Sequence, residues 1–114
     1  MKYFKECFVE KIYHHNAWTE GVWDNLKPAT NLNLSCNEKD SSDETIYLKY
    51  NDKTVGVLSD SDSKTLIDFI KMGHEKIFNA IIIQNKMDEV DEDRKLKVVI
   101  YIKSSGEINA SNHE

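Results

Sequence analysis

The chain has 114 residues, 39% of them hydrophobic and 10% aromatic, with a single proline and four glycines, which is the composition of a folded chain and suits one domain over residues 1–114. At this size roughly two thirds of the unfolded surface can be buried, enough for a core without staples. A net charge of −5 opposes nonspecific attraction to nucleic acid and to anionic membrane, although Asp88, Glu89, Asp91, Glu92 and Asp93 crowd into one short segment that by itself accounts for the excess.

From Tyr3 to Tyr13 the chain alternates, with Phe4, Phe8 and Ile12 on one face and Tyr3, Cys7 and Val9 on the other. Apolar groups on both faces predict a first strand that is covered on both sides or curls into a barrel. Lys2, Lys5, Glu6, Glu10 and Lys11 interrupt this region, so no signal peptide is expected. The longest fully apolar run, near Ala80 to Ile83, is far too short to span a bilayer. A cytoplasmic, reducing location is the expectation, with no membrane partner.

His14 to Pro28 has no clean period and holds both tryptophans, Trp18 and Trp23, as expected of an ordered loop with a short helical turn. Asn31 to Cys36 alternates again through Leu32, Leu34 and Cys36, and Glu38 to Glu44 forms a polar, turn-rich connection. Thr45 to Tyr50 has the period-2 pattern of a half-buried strand. Asn51, Asp52 and Lys53 supply turn chemistry, and Thr54 to Leu58 resumes with Val55 and Val57, which together predict a hairpin. Gly56 inside the second strand predicts a bulge or a close approach by another segment.

The period then changes. Ser59 followed three residues later by Asp62 reads as a capping box. Leu66, Ile67, Phe69, Ile70 and Met72 form an apolar stripe at helical spacing, and Gly73 is a natural stop, so a helix of about 12 residues is expected over the sheet. Ile77 to Gln84 reads as a buried strand. Leu96 to Ile102 completes the sheet, with Lys95, Lys97 and Lys103 facing solvent and the acidic loop Asp88 to Asp93 as a solvated turn between them. Residues 105–114 read as a frayed tail. About six strands and one helix, joined mostly by hairpins, predict a mainly β fold: a small curled antiparallel β-barrel, OB-like or SH3-like.

The segment around Glu38, then Asp43 to Gly73, resembles the HIRAN domain, a small β-barrel module that also occurs as a stand-alone bacterial protein. The matching features are a leucine-bearing strand ending near Glu38, an acidic turn, the Ile46 and Leu48 spacing, Val55-Gly56-Val57-Leu58, and a helix ending at Gly73, continued by Ala80 within the next strand. The likeness covers about two thirds of the chain and implies a HIRAN-type barrel. In the best understood helicase-associated members it implies a pocket for single-stranded DNA with a free 3′ end. The chain departs from the family pattern after Glu38, where neither the usual proline nor the aromatic is present, and at Val57, where many members carry an aromatic. Stacking platforms would then come from elsewhere in the chain.

The candidate nucleic-acid surface comprises Lys11, Tyr13, His14, His15 and Trp18, joined by Lys39, Tyr47 and Lys49 from neighbouring strands. Aromatics would stack on bases while lysines neutralise phosphates. Trp18 and Trp23 equally suit closing one end of the barrel, and the lysines equally suit solvated strand positions. A protein partner or homo-oligomer is the alternative, through the tryptophan loop or an exposed edge. Catalysis is the weakest class. Glu38, Asp40 and Asp43 could bind Mg²⁺, yet no base, nucleophile or second shell accompanies them. Cys7 and Cys36 read as buried or half-buried thiols and no ligand spacing links His14, His15 or His74, so neither cofactor nor metal is expected. His74 reads instead as a cap at the helix end.

Overall fold

The computed structural model describes residues 2–74, 77–86 and 88–103, the side chains at 2, 3, 16, 17 and 74 excepted. The expected tail and the capping role of the His74 side chain lie outside the described residues. The elements are β1 (Lys2–Val9), α1 (Asn16–Thr19), β2 (Asn31–Ser35), β3 (Tyr47–Tyr50), β4 (Lys53–Val57), α2 (Asp60–Phe69), β5 (Phe78–Asn85) and β6 (Leu96–Ile102), with short 3-10 turns at Ile12–His14, Trp23–Asn25 and Glu92–Arg94. The fold is mainly β, as expected. Six strands, antiparallel at every pairing, form one curled sheet in the order β1-β6-β5-β2-β3-β4.

The curl is made at β2, which divides its pairing. Leu32 lies opposite Ala80 of β5, whereas Leu34 lies opposite Leu48 of β3. Because strand side chains alternate, Leu32 and Leu34 both face inward while the strand hands over from one half of the sheet to the other. The outermost strands then meet at one corner. The Glu10 N–H donates to the Val57 carbonyl at 2.7 Å and the Val57 N–H donates back to Glu10 at 3.0 Å. Gly56 makes this meeting sterically feasible. A Cβ there would lie 2.6 Å from the Glu10 carbonyl oxygen and 2.6 Å from Val9 Cγ1. Both expectations for this glycine hold, since the β3–β4 register also shifts there, between Leu48 and Lys49.

Helix α2 covers the inside of the curl. The Ser59 hydroxyl accepts from the Asp62 N–H at 3.2 Å, giving the predicted N-cap. Asp62 itself departs from the expected box. Its carboxylate is engaged by the Lys5 ammonium of β1 and thereby ties the helix to the first strand. Burial opposes its ionisation, but hydrogen bonds from Lys5, Ser59 and Cys7 outweigh that and hold its pKa below the ordinary value. The buried Ser63 hydroxyl accepts from Ile46 N–H at 3.1 Å and donates to the Leu58 carbonyl at 3.3 Å, fastening the helix start to the hairpin.

Several sequence expectations are corrected. The first strand ends at Val9, and a register shift between Tyr3 and Lys5 breaks the simple alternation. Cys7 and Val9 enter the core, Phe4 packs partly against it, and Phe8 turns outward under Lys97 and Arg94. The hairpin connection has two residues, not three, because Tyr50 pairs with Lys53 across Asn51, whose φ is 55°. Leu66, Ile67 and Ile70 form the buried stripe, whereas Phe69, the last residue of α2, is 50% exposed and Met72, in the looser turn Ile70–His74 that contains Gly73 (φ 87°), is 71% exposed. On β5, Phe78, Ala80 and Ile82 face the core but Ile83 is exposed. Lys95 is buried rather than solvent-facing. Both thiols are free, Cys7 buried and Cys36 half-buried, as expected. Burial, reinforced by the Asp62 charge, pushes the Cys7 thiol up to about 12.

Candidate nucleic-acid interface

The outer face of β2, β3 and β4 is built by the same alternation that fills the core. With Leu34 and Leu48 inward, Ser35 and Tyr47 are a facing outward pair, as are Asn33 and Lys49, and Lys49 in turn faces Thr54. The chain leaving β2 folds back over this face through Asn37, Glu38 and Lys39. Between them lies an open groove of about 530 Å³, floored by Ser35, Tyr47, Lys49 and Thr54 and rimmed by Asn37 and Lys39. Lys39 and Lys49 have no ion-pair partner among the described residues. Glu38 on the same rim opposes them, so the lining residues sum to one positive charge, which the Asp43 carboxylate behind Tyr47 offsets.

Asp43 organises the groove wall. It accepts from the Tyr47 hydroxyl at 2.6 Å, the Thr45 N–H at 3.0 Å and Asn37 Nδ2 at 3.3 Å. These bonds, led by that from Tyr47, pull the Asp43 carboxyl down to about 2, and the same bond pushes the Tyr47 phenol up to about 12. Tyr47 is therefore a neutral ring with a fixed hydroxyl. The neighbouring Asp40 is occupied locally by Ser42, which donates to it from both its backbone N–H at 3.0 Å and its hydroxyl at 2.6 Å. Lys71 of the helix end donates to the Ser41 carbonyl at 2.7 Å and anchors the turn.

The tryptophan loop supplies the second half of the surface. The His15 ring meets Tyr47 edge-on at 6.3 Å between centroids, bringing the loop to the groove. Behind it Tyr13, Trp18 and Trp23 form a short ladder with centroid separations of 4.5 and 5.2 Å. Trp23 is buried and Trp18 is 38% exposed, so the ladder runs from core to solvent. Trp23 thus packs into the core, whereas Trp18 keeps part of its ring at the surface. Burial lowers the His15 pKa, and the nearby His14 and Lys11 add to the effect.

Of the eight predicted residues, Lys39, Tyr47 and Lys49 share the groove, His15 borders it, and Tyr13 and Trp18 pack against each other, rings tilted, on the same loop as His15. The Lys11 backbone and the His14 ring engage the acidic loop instead. Asp93 accepts from the Lys11 N–H at 2.8 Å, Glu92 accepts from the Tyr13 N–H at 3.0 Å, and His14 Nε2 lies 3.6 Å from Glu92. The acidic loop is therefore not merely a solvated turn. Thr54 and Asn37 also line the groove and were not among the predicted residues; Thr54 comes to lie opposite Lys49 through the register shift and a two-residue turn where a three-residue connection was expected. Nothing in the sequence pairs Glu92 with Tyr13, 79 positions away.

Among the described residues no cluster of three or more His, Cys, Asp or Glu side chains is arranged to hold a metal ion. No described helix is long and apolar enough to cross a membrane. Comparison with protein-family models, curated proteins and solved structures gives no match.

Proposed function

We propose that this chain is a HIRAN-like binding module for single-stranded nucleic acid, DNA with a free 3′ end first among the candidates, and that it binds rather than catalyses. The observation that carries this reading is the groove in which Lys39 and Lys49 flank the Tyr47 ring, with His15 and the exposed edge of Trp18 along the adjoining loop. An aromatic surface beside unpaired cations is what sequence-tolerant single-strand binding needs, because every base has a π face and every linkage a charge. The overall charge of −5 limits nonspecific attraction, so binding should be confined to this face.

The test is fluorescence anisotropy with labelled single strands bearing free or blocked 3′ ends across a salt series. Two phosphate contacts, at Lys39 and Lys49, predict a slope of log K against log salt of about −1.4. A Lys39→Gln/Lys49→Gln variant should flatten it, and loss of binding on blocking the end would support end recognition. No binding at high protein concentration in low salt would sink the proposal. The alternative, a protein-binding or homodimerising module, is favoured by one observation, the exposure of Phe69 and Met72 together at the end of α2. A concentration-dependent mass in size-exclusion scattering, abolished by Phe69→Ser/Met72→Ser, would move the weight to it.

A further inference from the structure

We infer that Glu92 and Asp93, although negatively charged, are positioning residues that favour binding of an anionic strand, because they hold the loop bearing Tyr13, His15 and Trp18 in its packed arrangement. The inference rests on the proposed function for its ligand and on geometry for its mechanism. After the corner bridge at Glu10 the backbone enters a left-handed conformation at Lys11 (φ 55°) and winds into the 3-10 turn Ile12–His14, whose start has no side-chain cap of its own. The first N–H groups of such a turn point outward without intrahelical partners. Asp93 takes that of Lys11 at 2.8 Å and Glu92 takes that of Tyr13 at 3.0 Å, so carboxylates from a distant loop do what an N-cap residue ordinarily does.

Those carboxylates are themselves held. Asp91 caps its own turn by accepting from the Asp93 N–H at 3.0 Å, and the Glu89 carboxylate accepts from the Asp91 N–H at 3.2 Å. The acidic run is thus a folded bracket whose last two side chains reach the aromatic loop. Immediately beyond the bracketed turn, the Trp18 N–H and Thr19 N–H both donate to the His15 carbonyl at 3.2 Å, which sets Trp18 against Tyr13. Release of the Lys11 and Tyr13 N–H groups would loosen the turn on which His15 and the ladder stand.

Two explanations of the acidic loop then differ in sign. If the carboxylates only repel phosphate, removing their charge by any substitution should tighten binding. If they position the loop, the outcome depends on whether an acceptor remains. The experiment compares the full chain with Glu92→Gln/Asp93→Asn, which keeps carbonyl acceptors without charge, and with Glu92→Ala/Asp93→Ala, which keeps neither, using a labelled oligothymidine at low salt. The amide pair is expected to bind at least as tightly as the parent. The alanine pair should bind about tenfold more weakly, the scale of one lost base stack, with an unchanged salt slope because the lysines are untouched. Equal or tighter binding by the alanine pair would overturn the inference. Should that pair fail to fold, the single Asp93→Ala and Glu92→Ala variants carry the same comparison. Acrylamide quenching of Trp18 separates this idea from the proposed function. Trp23 is buried, so a rise in quenching confined to the alanine variants supports positioning even where no oligonucleotide binds, and unchanged quenching refutes it.

Discussion

The chain has two acidic connections, Asp40 to Asp43 with two carboxylates and Asp88 to Asp93 with five, and they serve different purposes. In the first, the carboxylate bonds close within a few residues: Asp40 holds Ser42, and Asp43 holds Asn37, Thr45 and Tyr47. In the second, the local bonds at Asp91 only fold the loop, and Glu92 and Asp93 reach across to residues 79 and 82 positions earlier. A local bond shapes a turn and orients one ring. A distant one restrains a whole loop, since the chain between its ends must be folded for the bond to exist at all. Acidic composition therefore says little about whether a loop is merely solvated; sequence separation of its partners decides.

The sharpest way to test the distant arm is at the corner from which it departs. Gly56→Ala would drive a methyl into the Glu10 carbonyl oxygen and Val9, at 2.6 Å each, and Lys11, the residue Asp93 holds, follows Glu10 directly. Urea unfolding should show a loss of about 3 kcal/mol, the upper end of overpacking because backbone cannot step aside. A midpoint matching the parent would mean that the corner has room for a methyl group.

Next in size is the contrast itself. Glu92→Ala/Asp93→Ala removes two charge-assisted bonds between distant segments and should cost about 2 kcal/mol, reduced from the full value by exposure. Asp43→Ala removes more bonds but should cost only about 1 kcal/mol, since local contacts survive in part in the unfolded chain. Equal losses in matched denaturation curves would dissolve the distinction between the two connections.

A smaller effect follows from His15, which stands where the loop meets the groove. Its pKa is lowered from the ordinary 6.5, chiefly by burial. The unfolded chain therefore takes up the proton first, so the stability His15 contributes is fully present above 6.5 and is lost as pH falls through that value toward the folded pKa. His15→Gln should flatten the thermal midpoint against pH over that interval, and an unaltered profile would assign the pH dependence to other groups. Smallest in stability, but specific to the local arm, is Asp43→Asn. The Tyr47 phenol should move from about 12 back toward 10 in an ultraviolet titration, with the tryptophan loop unaffected. A Tyr47 value that stays high would place its cause outside Asp43.

Much of the scaffold was legible because it depends on short-range patterns. The alternation at Leu32, Leu34, Ile46 and Leu48 marked the inward faces, Ser59 announced the helix, and Gly56 marked both the bulge and the close approach. Tyr47 and Lys49 were placed together because period-2 register puts both outward on β3, whereas Lys39 reaches the groove from the turn that follows β2 and not, as expected, from a strand. Where expectation failed, a distant partner intervened. Asp62 serves Lys5 in addition to its own cap, and the register shift near Lys5 re-sorted Phe4 and Phe8. Phe69, at the end of α2, and Met72, in the looser turn beyond it, stay outside the core.

The sequence by itself determined the elements, their inward faces and the aromatic and basic residues available for a binding surface, since strand and helix periodicity and turn chemistry are properties of neighbouring residues. Only the tertiary structure decided that β2 divides its pairing, that the sheet closes at Glu10 and Val57, and that Glu92 and Asp93 hold the tryptophan loop. Those outcomes depend on which distant backbone groups are left without partners once the sheet has curled, and no local pattern encodes that.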